Sequence, residues 1–473
     1  MYSKTIAKLL ALSSVALLAL TVPAVAVHAQ DAATTAAALD PATLKAREKQ
    51  VREWKKIYGE GPYPDEVDGF VNPRFEVLRP YYKALYMGGE RNAVLNLSRL
   101  GLAAMELGQW TDAERAFDGA LLRIEAVYAK NASAEAARSL FHKESNKDWK
   151  GEPYERAMAY YYRGLLYLRK GDYNNARAAF KGGEYQDTVS ETEEFQSDFA
   201  VMNYLMGWAE QCAGDSGASS FEAALKAEKL MTAPVAGDNV LMIAELGHGP
   251  VKARDGKQKE KLIFQTAQGY PETGAVFTLT PVKGAPRTID GRLASSVYYQ
   301  ATTRGGRAMD GILDGKASWK STTSAIGGGA TQVGLQLMNN NYGGNNMAGA
   351  GAAIAVAGLL FSAFSTAMKT EADIRQWDSL PDGLALSTAK LDGAFVPTVN
   401  YVNAGGSLTL APTPIMLARA GKCAIVWTRA RTALLGADTP GDDPKVVAAV
   451  RKKKDVAAKD KLFRTALNTT YGN

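Results

Sequence analysis

The sequence predicts an α+β protein: an N-terminal domain of repeated helix pairs, followed by a mixed domain with an antiparallel β-sheet. Three observations predict it. Small and aromatic residues recur at helical spacing twice, and more weakly a third time, before residue 233. After Ala233 the composition shifts to short β-leaning runs divided by Gly and Pro clusters. The chain, at 473 residues, is long enough for two or three domains with ample core.

The first repeat is marked by Leu100, Gly101, Gly108, Ala113, Phe117 and Ala120. The same spacing returns at Tyr160, Gly164, Tyr167, Gly171, Tyr173, Ala176 and Phe180. The small residues belong where two helices cross closely, and the aromatics fill the gap to the next pair. This is the spacing of a tetratricopeptide (TPR) unit, so a TPR-like helical domain is expected over residues 81–233. The two units lie further apart than the roughly 34 residues of a simple tandem array, and residues 129–155 read as an insertion between them. Tyr204, Gly207, Gly214, Phe221, Ala224 and Leu225 keep the order with a slipped spacing and read as a degenerate closing repeat.

Ahead of the repeats, residues 1–29 read as a secretory signal peptide. Lys4 and Lys8 precede an apolar stretch, and Val27, His28 and Ala29 offer a cleavage site before Gln30. An uncleaved anchor is the alternative; no cysteine stands there to take a lipid. The expected location is therefore the periplasm. Residues 30–80 form a lead-in, in which Pro64, Pro73 and Pro80 suggest an irregular connection over 63–80.

Beyond the repeats, the mixed α/β domain is expected over residues 234–430. Its strands are read at 240–245, 261–266, 275–280, 384–388, 396–402, 407–410 and 423–428. Residues 321–368 carry no charged residue. Their apolar second part, 347–368, is just long enough to cross a bilayer, and Gly351 and Gly358 suit close helix packing. A buried core helix is the leading reading and membrane insertion the alternative. Residues 431–473 form a basic tail or helix, whose alternatives are a solvated end and contact with anionic lipid or a polyanion.

Little in the chain looks catalytic. Cys212 and Cys423 fall in different proposed domains, so two buried thiols are expected, with a disulfide as the alternative. With His142 and His248, the only other histidines beyond residue 29, they lack zinc spacing. Gly214, Asp215, Ser216 and Gly217 imitate a serine-protease motif but sit at a helix-pair turn, where they are good turn chemistry. No phosphate-binding loop appears. Neither a cofactor nor a metal is expected, and nucleic acid is not an expected partner. Glu144 with Glu152 or Glu155 is the one carboxylate grouping to weigh for hydrolysis, and it falls on a charged insertion.

A binding surface is weighed ahead of catalysis here, against the competing reading that the insertion simply packs onto the repeats. Trp149 and Tyr154 flank a turn, Glu152 and Arg156 bracket a helix start at Pro153, and Tyr161 or Tyr162 should face the concave surface or solvent. These six residues are the candidate partner-binding set.

The run Trp149-Lys150-Gly151-Glu152-Pro153-Tyr154-Glu155-Arg156, together with Gly164, Gly171 and Phe180, resembles a family of bacterial envelope proteins with TPR-like repeats. Two later runs resemble it as well: Glu245-Leu246-Gly247-His248-Gly249-Pro250-Val251-Lys252, and Ala372-Asp373-Ile374-Arg375-Gln376-Trp377-Asp378-Ser379-Leu380-Pro381. The resemblance implies an envelope location and no settled activity. In the last run Asp373 and Arg375 are expected to cap or pair near a helix end while Trp377 and Leu380 pack beneath, as a structural latch, with a partner-binding site as the alternative. The expected function is a non-enzymatic periplasmic scaffold or adaptor that binds a protein partner of the cell envelope. The alternatives are a membrane-inserting or oligomerising component and a cell-wall hydrolase.

Overall fold

The computed structural model describes residues 40–58, 61–126, 148–188, 199–256, 261–303, 372–411, 413–434 and 451–472. Residues 1–29, where a signal peptide is expected, the charge-free segment and most of the 129–155 insertion, with His142 and Glu144, lie outside them. Residues 1–50 and 51–473 form two compact units. In the first, Asp40 accepts hydrogen bonds from the Ala42 and Thr43 amides at 2.9 and 3.1 Å, capping the start of helix α1 (Pro41–Tyr58).

In the second unit, two prolines expected in an irregular connection begin helices instead. Pro64 opens α2 (Pro64–Val71), and Pro80 lies in the first turn of α3 (Arg79–Gly88). The first turn has no intrahelical use for the amide hydrogen that proline lacks. Three consecutive helix pairs follow: α4 (Ala93–Glu106) with α5 (Trp110–Ala126), α6 (Pro153–Lys170) with α7 (Tyr173–Thr188), and α8 (Ala200–Ala213) with α9 (Ala218–Ala227). Each pair crosses at a glycine held against a phenylalanine. A methyl group on Gly101 would stand 2.8 Å from the Phe117 ring, and one on Gly207 2.9 Å from Phe221. On Gly164 it would stand closer still to Phe180. The third pair keeps this crossing despite its slipped spacing.

The remainder is an eight-stranded, mostly antiparallel sheet with an added hairpin. The strands are β1 (Val240–Leu246), β2 (Val251–Asp255), β3 (Lys261–Gln265), β4 (Gly274–Pro281), β5 (Arg287–Ser296), β6 (Gly383–Ala389), β7 (Phe395–Asn403), β8 (Gly406–Ser407), β9 (Ile415–Ala420) and β10 (Cys423–Arg429). Their order in the sheet is β8-β7-β4-β5-β6-β1-β10-β9, with β2 and β3 paired separately. Among the described residues, β1 and β10 are the one parallel pair. A short helix, α10 (Val297–Thr302), follows β5.

Strand β1 is buried along its whole length, and its alternating side chains feed two cores. Leu241 and Ile243 join the helices, whereas Val240, Met242 and Ala244 join Phe277, Tyr401 and Val426 inside the curl of the sheet. The curl brings its two ends together. The Arg419 guanidinium of β9 stacks 4.3 Å from the Phe395 ring of β7, and the Tyr401 hydroxyl lies 3.3 Å from Thr428 Oγ1.

Covalent and terminal links complete the unit. Cys212, at the end of α8, is disulfide-bonded to Cys423, at the start of β10, across 211 residues. This corrects the expectation of two buried thiols. The folded chain brings the Cα atoms to 5.9 Å, a distance that sequence separation could not reveal. The basic tail ends in a docked helix, α11 (Lys454–Tyr471). Asp460, Phe463, Leu467 and Tyr471 are buried, and Asp460 accepts from the Glu90 amide at 2.9 Å. The Tyr471 ring meets the Tyr82 ring edge-on at 5.4 Å.

The Gly–Phe crossings predict a contrast between two alanine substitutions. Gly164→Ala should lower stability in urea unfolding by about 2 kcal/mol, because overpacking at Phe180 outweighs the gain in helix propensity. Gly69→Ala, in α2 with open space around it, should be neutral or stabilise by up to about 1 kcal/mol. Equal effects would contradict the close crossing.

Candidate functional site

The three sequence runs that carry the envelope-family resemblance come together in space. Glu155 of α6 is their meeting point. Its Oε1 accepts from the Trp377 amide at 2.8 Å, and its Oε2 from the Glu152 amide at 2.7 Å and from Lys252 Nζ at 2.5 Å. Lys252 Nζ also donates to the Arg375 carbonyl at 3.0 Å, and the Lys252 amide to Gln376 Oε1 at 2.6 Å. Trp149 Nε1 donates to that same Arg375 carbonyl at 2.9 Å. Arg375 pairs with Asp373 at 2.6 Å and reaches Asn92 Oδ1 at 2.8 Å. Trp377 and Leu380 are buried beneath, the latch geometry that the sequence suggested.

The Glu155–Lys252 pair is dry, with side chains 0% and 1% exposed. Burial raises the Glu155 carboxyl above its ordinary value against the pull of Lys252. An ion pair so placed must have its remaining lone pairs and protons hydrogen-bonded, and here backbone groups from α6 and the 372–381 run supply the bonds.

A second dry cluster lies on the same side of the sheet. Arg429, at the end of β10, donates to Glu106 Oε1 of α4 at 3.0 Å and forms an ion pair with Glu245 of β1 at 2.8 Å. Glu245 accepts from Tyr162 at 2.9 Å and from Trp427 Nε1 at 2.8 Å. Glu106 accepts from the Ala433 amide at 2.7 Å and from Thr432 Oγ1 at 2.7 Å. Aromatic rings close the space: Tyr162 lies 5.7 Å from Phe117, 5.6 Å from Trp377 and 5.0 Å from Tyr161.

The charges of this cluster act on one another and against burial. Burial raises the Glu245 carboxyl, while Arg429 and the Trp427 and Tyr162 hydrogen bonds pull the other way. Burial works against the Arg429 charge, but Tyr162, Glu245 and Glu106 outweigh it and hold the guanidinium charged. Two carboxylates face one guanidinium, and the nearby Glu106 charge acts on Glu245 in the same direction as burial.

The candidate partner-binding residues therefore stand elsewhere than expected. Trp149, Tyr154, Tyr161 and Tyr162 are all buried, Tyr161 and Tyr162 completely. The expectation that Tyr161 or Tyr162 faces a concave surface or solvent fails because the sheet and the 372–381 run, far along the chain, cover α6. Tyr154 packs edge-on to Phe264 of β3 at 5.8 Å. Glu152 and Arg156 are half-buried; Arg156 donates to Gln186 Oε1 and to the Gly151 carbonyl, each at 2.7 Å.

Arg429, Glu106 and Lys252 were missed by sequence reasoning. For Arg429 the signal was a lone charge at the end of the apolar run Cys423–Arg429, whereas Lys252 shares its short strand with Arg254 and Asp255 and gave none. Ser216 sits in the α8–α9 turn and accepts from the Ala218 amide at 3.3 Å, a turn role. Among the described residues, no group of three or more His, Cys, Asp or Glu side chains is placed to hold a metal ion, and no helix is long and apolar enough to cross a membrane.

An open feature lies on the outer helices. A groove of about 450 Å³ runs between α7, α8 and α9, with Met206 on its floor and Arg177, Lys181, Glu210 and Ser220 around it. Arg177 and Lys181 are exposed, and Met206 is buried. Comparison with protein-family models, curated proteins and solved structures finds no match.

The Glu245 cluster predicts a pH dependence. A carboxyl whose folded pKa lies above its unfolded value of 4.5 takes up its proton first in the folded state. Stability should then fall as pH rises from 4.5 through the folded pKa. Glu245→Gln should flatten this slope in urea unfolding measured from pH 4.5 to 8, whatever its effect on absolute stability. An unchanged slope would contradict the assignment.

Proposed function

We propose that this protein is a non-enzymatic adaptor of the bacterial periplasm that holds a protein partner of the cell envelope on TPR-like helix pairs. The groove between α7, α8 and α9 carries the proposal. An apolar floor at Met206, ringed by Arg177, Lys181 and Glu210, suits an extended peptide segment with polar or charged side chains. The repeated Gly–Phe crossing at Gly101, Gly164 and Gly207 supports the TPR-like reading, since the two helices of each pair cross through the same small-to-aromatic contact.

The compartment rests on two further points. The Cys212–Cys423 disulfide suits an oxidising space, and residues 1–29 have the pattern of a secretory signal. The buried carboxylates support a structural role. Glu155, Glu245 and Glu106 are closed in by aromatic rings and already bonded, whereas a hydrolase needs its carboxylates open to substrate.

The test is site-specific photo-crosslinking in intact cells. A photoreactive residue at Ser220 or Arg177 should yield a discrete protein adduct, and one at exposed Lys283, just beyond β4, should not. No adduct from the groove, or the same adduct from all three positions, would overturn the proposal.

A further inference from the structure

Helix α11 is held by one face and leaves the opposite one unexplained. Asp460, Phe463, Leu467 and Tyr471 form its buried stripe. At about 100° per residue, Lys454, Lys461 and Leu462 project from the far side, within about 100° of one another. All three are exposed, and Leu462 is 72% exposed, among the most exposed large apolar side chains described. Lys452 and Lys453 precede the helix and are exposed too.

Two features of this face run against local rules. Lys452, Lys453 and Lys454 crowd the start of the helix, where the backbone dipole already presents positive charge and favours acidic residues. One acidic residue, Asp455, stands in the first turn, and Lys453, at the cap position, makes no side-chain cap. The helix start thus offers uncapped amide hydrogens beside three lysines, which is a favourable setting for a phosphate group. Leu462 lies eight residues on, about 12 Å along the axis, with Lys461 beside it, while Lys459 is engaged by Asp148. A free polyanion has use for the lysines but none for an exposed leucine between them.

We propose that the outer face of α11 docks onto an anionic phospholipid bilayer, with headgroup phosphates at Lys452, Lys453 and Lys454 and Leu462 entering the acyl boundary. Interfacial helices combine apolar insertion with cationic attraction in this way. The contact is peripheral and reversible. It leaves the α7–α9 groove free and does not depend on what that groove holds.

The test uses the processed chain as purified, sedimented with vesicles of phosphatidylglycerol and phosphatidylcholine (40:60) and with vesicles of phosphatidylcholine alone. The protein should partition to the anionic vesicles at least tenfold more strongly, and 0.5 M salt should release it. Leu462→Gln, at an exposed position, should weaken partition several-fold. The triple change Lys452→Gln, Lys453→Gln and Lys454→Gln should weaken it tenfold or more. Unchanged thermal unfolding would show that both variants remain folded. Failure to sediment, equal partition to both vesicle types, or full retention by Leu462→Gln would overturn the proposal. Retention on a heparin resin without vesicle binding would assign the face to a polyanion instead.

Discussion

Two carboxylates with no access to water organise this molecule. Glu155 and Glu245 are each surrounded by protein, and a buried charge survives only where every neighbour is placed to bond it. Glu155 therefore fixes Lys252 and the Trp377 amide, and Glu245 fixes Arg429, Trp427 and Tyr162. Removing one member of such a pair costs about 3–5 kcal/mol. Folded domains are stable by only about 5–15 kcal/mol, so these sites have little freedom to open while the rest stays folded.

The rest of the architecture follows from where those residues sit. Glu155 and Tyr162 belong to α6, Glu106 to α4, and Glu245 and Arg429 to the parallel strands β1 and β10. Strand β1 can be apolar on both faces because helices cover one and the curl of the sheet covers the other. The disulfide adds a covalent tie between the same two parts, from α8 to β10. With the inner faces committed to this junction, both proposed binding surfaces, the α7–α9 groove and the far side of α11, fall outside it.

The sequence made local features legible and distant ones obscure. The Gly–Phe crossings could be read because both partners lie within one helix pair, at fixed spacing. Strands β1, β4, β6, β7 and β10 could be read because their apolar runs are dense. Strands β2, β5 and β9 were not read: Lys252 and Arg254, Arg287 and Asp290, and Arg419 interrupt their patterns with charge. Periodicity placed Tyr161 and Tyr162 on α6 but could not show that elements far along the chain cover them. The Asp373–Arg375 pair was legible from its two-residue spacing, whereas Lys252 meeting Glu155, 97 residues apart, was not.

The central claim is that the buried ion pairs bind the helix pairs and the sheet into one cooperative structure. Native-state hydrogen exchange in increasing denaturant tests it most directly, because it reports the opening free energy of each segment. The account predicts that the amides of α4, α6, β1 and β10 share one opening energy and converge on global unfolding. Exchange of α4 and α6 through a separate, lower-energy opening while β1 and β10 stay protected would contradict it.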